Sequence, residues 1–308
     1  MQELLLYDTA RKYFLLLGAV AFFLLCFVNA WFGRFAPEDP SSILYINGIR
    51  SWILMELVSP TSFIATILRA AKSPSENSSA ADSLNPRSKL MIAMFLAHYL
   101  NRSIISPLRS PSRSKSHISV LVCGMFVNVI NGYLMATYLT SMEAQSYMER
   151  LSTSLWCFGV ATWAVGFAGN VIHDEILMNI RRKANYKAKA KETTNKPKGE
   201  HYAIPYGLLF EYVTFPNYFC EWIEWLGFAI ATSPFPTLPS MSSLSASSLL
   251  ALPSPDNTFW PTMTPPYLFV ALELLTMFPR AYKGHLWYHT KFRDSYPKQR
   301  KIVIPFIF

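Results

Sequence analysis

Charged residues are scarce in this chain. Asp, Glu, Lys and Arg make up only 15% of its 308 residues, whereas 51% are hydrophobic. Because an average soluble domain carries about 25% charged residues, the composition indicates a membrane protein. The sequence also lacks a G-x-G-x-x-G motif and a P-loop, which excludes the dinucleotide site of a soluble Rossmann domain.

Cysteine is rare as well, with four residues in the whole chain. Cys26, Cys123, Cys157 and Cys220 all lie in apolar segments, and none has the spacing of metal ligands. We therefore expect them to be core residues rather than members of disulfides, and we expect no metal site.

Long apolar segments account for most of the hydrophobic residues. Tyr13–Trp31, Ile118–Thr140 and Leu155–Gly169 are long enough, or nearly so, to cross a hydrocarbon core of about 30 Å. No small-residue cleavage site follows the first segment, so we do not expect a removed signal peptide. The pattern predicts an all-α, polytopic membrane protein with a bundle of seven transmembrane helices. The predicted spans are 13–32, 43–71 with a break near Pro60, 88–106, 118–141, 152–180, 208–232 and 259–283.

The net charge of +9 is concentrated in three regions. These are Arg102–Lys115, Arg181–Lys198 and Arg280–Lys301. The positive-inside rule places such regions in the cytosol, and we favour this explanation over nucleic-acid binding. Some of these cations could also hold phosphates. The N-terminus is then luminal and the C-terminus cytosolic. The Ser-rich segments 73–84 and 232–255 become luminal loops, and Asn77 in the first of them begins a glycosylation sequon.

One predicted helix carries polar residues inside an apolar segment. Within Pro216–Ala231, Asn217, Glu221 and Glu224 are spaced by four and then three residues, so they share one helical face. A carboxylate in hydrocarbon costs about 2.5–3.5 kcal/mol. This face is therefore expected to meet water, a partner charge or a bound cofactor.

Two further polar residues lie in predicted spans. Glu56 has apolar neighbours, so a lone carboxyl there could stay protonated and donate a hydrogen bond; an acid at the membrane boundary fits equally well. Tyr99, in His98-Tyr-Leu-Asn-Arg102, could donate its phenol to a ligand carbonyl or belong to an aromatic belt. By the positive-inside rule, Arg102 would be a topological anchor.

A third group lies at the cytosolic end of the fifth span. Asn170 and Asp174 share a helix face, and Arg181 follows nearly two turns later. An amide, an acid and a guanidinium in this arrangement could bind a ribose and a phosphate. A capped helix end that pairs with its own basic loop explains the spacing at least as well.

Together these residues resemble the steroid 5α-reductase family (3-oxo-5α-steroid 4-dehydrogenase). The resemblance is strongest through Tyr202–Trp225 and through the tail, whose Tyr-Pro-Lys-x-Arg-Lys and Ile-Pro-Phe elements lie in 296–308. Residues of about 165–308 are shared more widely, including by trans-2-enoyl-CoA reductases of fatty-acid elongation. Glu56, preceded by Trp52, and Tyr99 in a His-Tyr-x-x-Arg motif match the steroid branch.

The resemblance implies a single domain, 1–308, in the endoplasmic reticulum membrane, with substrate-side helices in 1–150 and an NADPH-binding part in 151–308. Its partners would be NADPH, a steroid or other lipid-like enone and membrane lipid, but no nucleic acid; a monomer is compatible with it. Glu56 and Tyr99 would be catalytic and hold the 3-oxo oxygen, with Trp52 beside the substrate. The implied cofactor residues are Arg102, Arg113, Asn170, Asp174, Arg181, Tyr202, Asn217, Glu221, Trp225, Arg280, His285 and Tyr288. Glu224 is expected only to brace neighbouring helices.

The chain departs from the family pattern at several positions. His173 is displaced by one residue, Ala203 replaces a frequent arginine, and Gly284 replaces the first of two histidines. The Lys-rich segment 183–199 lengthens a loop. Two alternatives therefore stay open: a trans-2-enoyl-CoA reductase, and a membrane protein of the same fold without catalysis.

Overall fold

The computed structural model describes residues 2–36, 42–72, 84–190, 202–239, 251, 253 and 258–308. Asn77 and much of both Ser-rich segments lie outside the described residues. The described part is built from helices, whose bounds are α1 Gln2–Phe27, α2 Gly48–Lys72, α3 Pro86–Leu100, α4 Ser106–Arg109, α5 Ile118–Leu139, α6 Met142–Arg150, α7 Thr153–Ala190, α8 Pro216–Thr232 and α9 Pro265–Phe292. A π-helical turn, Asn101–Ile105, joins α3 to α4. Strands β1 (Tyr45–Ile46) and β2 (Ser116–His117) form a short antiparallel pair.

The prediction of an all-α protein is confirmed. Among the described residues, four helices are long and apolar enough to cross a membrane, namely α1, α2, α5 and α7. The other predicted spans correspond to α3, α8 and α9, and the count of seven stays a prediction. α8 has 17 residues, fewer than the roughly 20 that cross a bilayer core. α3 has 15 residues, but the helical path continues through the π-helical turn and α4 to Arg109.

The predicted break near Pro60 is wrong. α2 is one continuous helix from Gly48 to Lys72 with Pro60 inside it. A proline removes one backbone donor from a helix, but nearby hydroxyl groups can compensate for the altered hydrogen bonding. Here the Thr61 hydroxyl donates to the carbonyl of Leu57 at 2.7 Å, in the turn that contains the proline.

The sixth predicted span begins too early, because α8 starts at Pro216 and not at residue 208. The residues before it bond to the C-terminal tail instead. The amide of Thr214 donates to the Lys301 carbonyl at 2.9 Å, and that of Phe215 donates to the Ile302 carbonyl at 3.0 Å. Proline suits the first turn of a helix, where its missing N–H costs no hydrogen bond.

Helices α7 and α8 pack at very short distance through glycines. A Cβ atom on Gly166 would lie 2.3 Å from the Glu224 backbone nitrogen, and one on Gly227 would lie 2.5 Å from that of Trp163. Small residues let two helix backbones approach in this way. The contact brings the polar face of α8 against α7.

Helix α7 continues to Ala190, so it includes part of the segment predicted as a Lys-rich loop.

The cysteines are only partly where the sequence predicted. Cys220 is buried, but Cys26, Cys123 and Cys157 are exposed, and all four are free thiols. The prediction of core positions is therefore wrong for three of them. A helix that is apolar on every side presents apolar residues outward as well as inward, so an apolar neighbourhood in the sequence does not establish burial.

Candidate active site

A cavity of about 280 Å³ lies among the ends of several helices. Its wall combines apolar side chains with an unusual number of charged and amide groups. The predicted site residues that line it are Trp52, Arg102, Arg113, Asp174, Arg181, Asn217, Glu221 and Arg280. Members of the predicted substrate side and of the predicted cofactor side therefore meet in one cavity.

A hydrogen-bonded network joins α7 to α8 at this cavity. The Asn170 side chain donates to Glu221 Oε2 at 3.1 Å and to the Asn217 carbonyl at 3.1 Å. The Asn217 side chain in turn donates to Asp174 Oδ1 at 3.0 Å. Asn170 and Glu221 are buried. The two polar faces read from the sequence thus face each other across the α7–α8 contact.

Arg102 bridges the two halves of the cavity. Its Nη1 lies 2.6 Å from Glu221 Oε1, and its Nε lies 3.2 Å from Glu56 Oε2. The guanidinium carbon is 5.2 Å from the ring centroid of Trp52, whose indole N–H donates to the Arg102 carbonyl at 3.1 Å. The expectation that Glu56 is a lone carboxyl is therefore wrong, and Arg102 is more than a topological anchor.

The π-helical turn at Asn101–Ile105 places this arginine. Such turns add a residue to a helix and occur frequently at functional sites. The Ser103 hydroxyl donates to the Tyr99 carbonyl at 2.6 Å, which ties the turn to α3. Arg102 and Tyr99 are thereby held on the same helical segment.

Tyr99 belongs to a buried polar cluster with α2 and α5. Its hydroxyl oxygen accepts a hydrogen bond from Asn131 Nδ2 at 2.8 Å, and the same amide donates to Ser59 Oγ at 3.1 Å. Ser59 follows Glu56 by three residues on α2. Neither Tyr99 nor Glu56 lines the cavity itself; both are buried, and Glu56 reaches the cavity through Arg102.

Two predicted residues of α8 face away from the cavity. Glu224 Oε1 lies 2.6 Å from His98 Nδ1, and both side chains are buried. This contact links α8 to α3, as expected for a brace. Trp225 is fully buried, with ring centroids of His98 and Phe269 each 4.7 Å away. It does not line the cavity, so its predicted cofactor contact remains a proposal and its observed place is the core.

A second cavity of about 120 Å³ adjoins the first. The residues common to both walls are Phe32, Gly33, Arg181, Tyr218 and Arg280. Tyr202 lines only the second cavity, with its ring centroid 4.9 Å from that of Trp287. The two cavities therefore form one elongated site that extends away from Glu56 and Tyr99.

The two predicted residues at the end of α9 lie behind this second cavity. His285 Nδ1 is hydrogen-bonded to the Thr214 hydroxyl, and its Nε2 lies 3.1 Å from His289 Nε2. Tyr288 stacks on Tyr296 with ring centroids 5.3 Å apart. Neither residue lines either of these two cavities. Burial raises the pKa of Tyr296, which keeps this phenol neutral in the packed tail.

Sequence reasoning missed two charged residues of the site. Glu273 on α9 lines the first cavity, and its Oε2 is buried without a hydrogen-bond partner in the described part of the chain. Arg34, in the turn after α1, lines the second cavity. A carboxylate inside an apolar span was a usable signal for Glu273. No comparable signal marked Arg34.

The departures from the family pattern have local explanations. A Cβ atom on Gly284 would lie 2.3 Å from Phe215 Cζ and 3.4 Å from Arg34 Nη1, so these two side chains occupy the space that a side chain at 284 would need. His173 Nδ1 lies 2.6 Å from the Gly169 carbonyl, and its Nε2 accepts from the Leu209 amide. His173 therefore anchors the turn before α8.

Comparison with known proteins identifies the family. The sequence model described as 3-oxo-5-alpha-steroid 4-dehydrogenase matches residues 114–241 and 258–308, more than half of the chain. The chain belongs to the 3-oxo-5-alpha-steroid 4-dehydrogenase family. The matched residues include most of the α7–α9 side of the site, whereas Glu56, Tyr99 and Arg102 precede them.

Relatives of this family extend the similarity over nearly the whole chain. An uncharacterized protein of Schizosaccharomyces pombe is 35% identical over 289 residues, which cover 91% of this chain and 92% of that protein. The 3-oxo-5-alpha-steroid 4-dehydrogenase 1 of Rattus norvegicus is 31% identical over 282 residues, which cover 91% of this chain and 87% of the rat protein. The steroid 5-alpha-reductase DET2 of Gossypium hirsutum is 30% identical over 262 residues, which cover 84% of this chain and 81% of the cotton protein.

Proposed function

We propose that this protein is an NADPH-dependent 3-oxo-5α-steroid 4-dehydrogenase that reduces the C4–C5 double bond of 3-oxo-Δ4-steroids. The observation that carries the proposal is the position of Arg102, which pairs with Glu221 on the cofactor side and with Glu56 on the substrate side. The similarity to the named rat and cotton enzymes, which covers 91% and 84% of this chain, supports the same reaction.

The residues of the first cavity fit a dinucleotide. Four arginines line it, namely Arg102, Arg113, Arg181 and Arg280, and guanidinium groups bind phosphate oxygens in a bidentate manner. Asp174 and Asn217, already hydrogen-bonded to each other, offer an acceptor and an amide to ribose hydroxyls. NADPH, when bound, supplies the hydride.

The substrate end would use Tyr99 as a hydrogen-bond donor. Because the Tyr99 oxygen accepts from Asn131, the phenol keeps its own proton for donation, and accepting one bond strengthens the donation of another. Negative charge develops on the 3-oxo oxygen as hydride adds to C5, and the resulting enolate is neutralised when C4 takes a proton from water. A donor held in a buried, water-poor position stabilises that charge.

Glu56 would act with Tyr99 on the same oxygen. Arg102 is shared with Glu221, and Glu273 also interacts electrostatically with this arginine. One guanidinium and three carboxylates in buried surroundings leave two negative charges uncompensated, so neutrality of the group needs two protons. We propose that Glu56 carries one of these protons when the substrate is bound and donates it in a hydrogen bond to the 3-oxo oxygen.

We also propose that the protein lies in the endoplasmic reticulum membrane. The four apolar helices are consistent with several membrane crossings. The arginines of the two cavities belong largely to the basic regions that the positive-inside rule assigns to the cytosol. NADPH would then enter from the cytosol, with the N-terminus luminal and the full count of seven spans reached through α3, α8 and α9.

Activity assays test the proposal. They use purified protein in detergent micelles, NADPH and each of two substrates. We expect a 3-oxo-Δ4-steroid such as progesterone to be converted to its 5α-dihydro product, identified by mass spectrometry and by its configuration at C5. We expect no turnover of a trans-2-enoyl-CoA. Reduction of the thioester alone would favour the fatty-acid alternative, and a failure to bind NADPH would favour a protein without catalysis.

A further inference from the structure

The side chain of Arg34 is enclosed by aromatic rings. Its guanidinium carbon lies 4.8 Å from the ring centroid of Tyr288, 4.9 Å from Phe215, 5.3 Å from Trp287 and 5.9 Å from Tyr202. Aromatic faces attract a cation but accept hydrogen bonds only weakly. Arg34 Nη1 is buried and has no hydrogen-bond partner among the described residues. The arginine is therefore held in place with donor capacity left over.

The second cavity, which Arg34 lines, is strongly cationic. Arg181 and Arg280 lie in the same wall, together with aromatic and small residues. No Asp or Glu is present in that wall within the part of the chain that the structure describes. Three guanidinium groups without a carboxylate attract an anion, and their planar donors suit a phosphate group.

The distribution of the arginines over the two cavities indicates which phosphate group of a dinucleotide Arg34 would bind. Arg102 and Glu221 line only the first cavity, next to Glu56, where the hydride must be delivered. Arg181 and Arg280 line both cavities, and Arg34 lines only the second. A dinucleotide with its nicotinamide at the Glu56 end would thus place its pyrophosphate at the shared arginines and its adenosine half at Arg34.

We propose that Arg34 binds the 2′-phosphate of the adenosine half and so selects NADPH over NADH. The proposal rests on the function proposed above, because it assumes that the dinucleotide occupies the first cavity. It adds a residue that determines cofactor specificity. Gly284 is part of the arrangement, because a side chain there would meet Phe215 and crowd Arg34 Nη1.

Direct binding measurements on the purified protein test this assignment. We expect Arg34→Gln to weaken NADPH binding by about 10- to 100-fold, the usual effect of losing a hydrogen bond to a charged group. NADH lacks the 2′-phosphate, so its dissociation constant should change by no more than about twofold. Arg34→Lys keeps the charge but loses the planar fork, so it should give an intermediate loss for NADPH only.

Two further measurements separate binding from folding. In the wild type, 2′,5′-ADP should displace NADPH more strongly than 5′-AMP does, and Arg34→Gln should abolish the difference. Arg150→Gln, an exposed arginine at the end of α6, controls for the loss of one positive charge. The unchanged NADH affinity shows that the Arg34 variants are folded, and Arg34→Lys tests the assignment if Arg34→Gln is unstable.

The outcomes distinguish the two proposals. Equal losses of NADPH and NADH affinity in the Arg34 variants would overturn the 2′-phosphate assignment, because they would place Arg34 at the pyrophosphate or in a purely structural role. A wild type that binds neither nucleotide would overturn both proposals. A wild type that selects NADPH through Arg34 but reduces no steroid would refute only the reaction proposed above.

Discussion

Arg102 Nη1 lies 2.6 Å from Glu221 Oε1, and this contact joins the segment that follows α3 to the polar face of α8. The same guanidinium also reaches Glu56 on α2. Groups assigned by sequence to different ends of the site therefore share one counter-ion. The consequence is that substitutions at the substrate end and at the cofactor end should be coupled through Arg102.

Removal of Arg102 should be costly for stability. Arg102→Met leaves two carboxylates without their cation, and breaking a buried pair typically costs about 3–5 kcal/mol. We expect the lower end of that range because the Arg102 side chain is 26% exposed. Thermal unfolding in micelles measures the loss. Adding Glu221→Gln to Arg102→Met should recover part of it; purely additive losses in the double variant would contradict the coupling.

The proposed donors should matter for turnover more than for cofactor binding. Glu56→Leu and Tyr99→Phe should each lower steroid reduction by about 10²–10³-fold, the effect of removing one donor to a developing oxyanion. NADPH affinity should change much less than turnover, with the larger change in the Glu56 variant because Glu56 shares Arg102 with Glu221. Initial rates and NADPH titrations check both points. Glu143→Leu and Tyr186→Phe, at exposed positions, serve as controls, and wild-type turnover in either test variant would contradict the mechanism.

The two glutamates of α8 should behave differently. Glu221 lines the cavity and accepts from Asn170, so Glu221→Gln should raise the KM for NADPH. Glu224 is paired with His98 in the core, so Glu224→Gln should lower the melting temperature and leave the KM for NADPH unchanged. Steady-state kinetics with parallel thermal melts measure the split. A larger KM effect from Glu224→Gln than from Glu221→Gln would reverse the assignment.

Gly284 should tolerate no larger residue while Phe215 keeps its position. A Cβ atom at 284 would approach Phe215 Cζ to 2.3 Å, and overpacking of this kind costs about 1–3 kcal/mol. We expect Gly284→Ala to lower the melting temperature. Phe215→Leu removes the atoms that clash, so the double variant should be more stable than the sum of the single effects predicts. Strict additivity would show that the clash is relieved elsewhere.

Much of the site could be predicted because helical periodicity is a local property. The spacing of Asn217 and Glu221, and that of Asn170 and Asp174, predicted helix faces that the structure brings together. The resemblance placed the arginines that line the cavity. In contrast, the break near Pro60 was predicted from a local preference, whereas α2 continues through the proline with a hydroxyl hydrogen bond in the same turn. The start of α8 was predicted too early because the residues before Pro216 bond to the C-terminal tail, a tertiary contact.

The sequence by itself determined the apolar helices and the polar faces within them, because composition and period are read along one chain. Its motifs, and not its composition, carried the resemblance to the family. Only the tertiary structure decided that Glu56 has Arg102 as a partner, that Trp225 belongs to the core, and that Glu273 and Arg34 line the site. The physical reason is that these relations depend on how helices distant in sequence cross and how closely they approach. Here the α7–α8 approach depends on Gly166 and Gly227, whose missing side chains let the two polar faces meet.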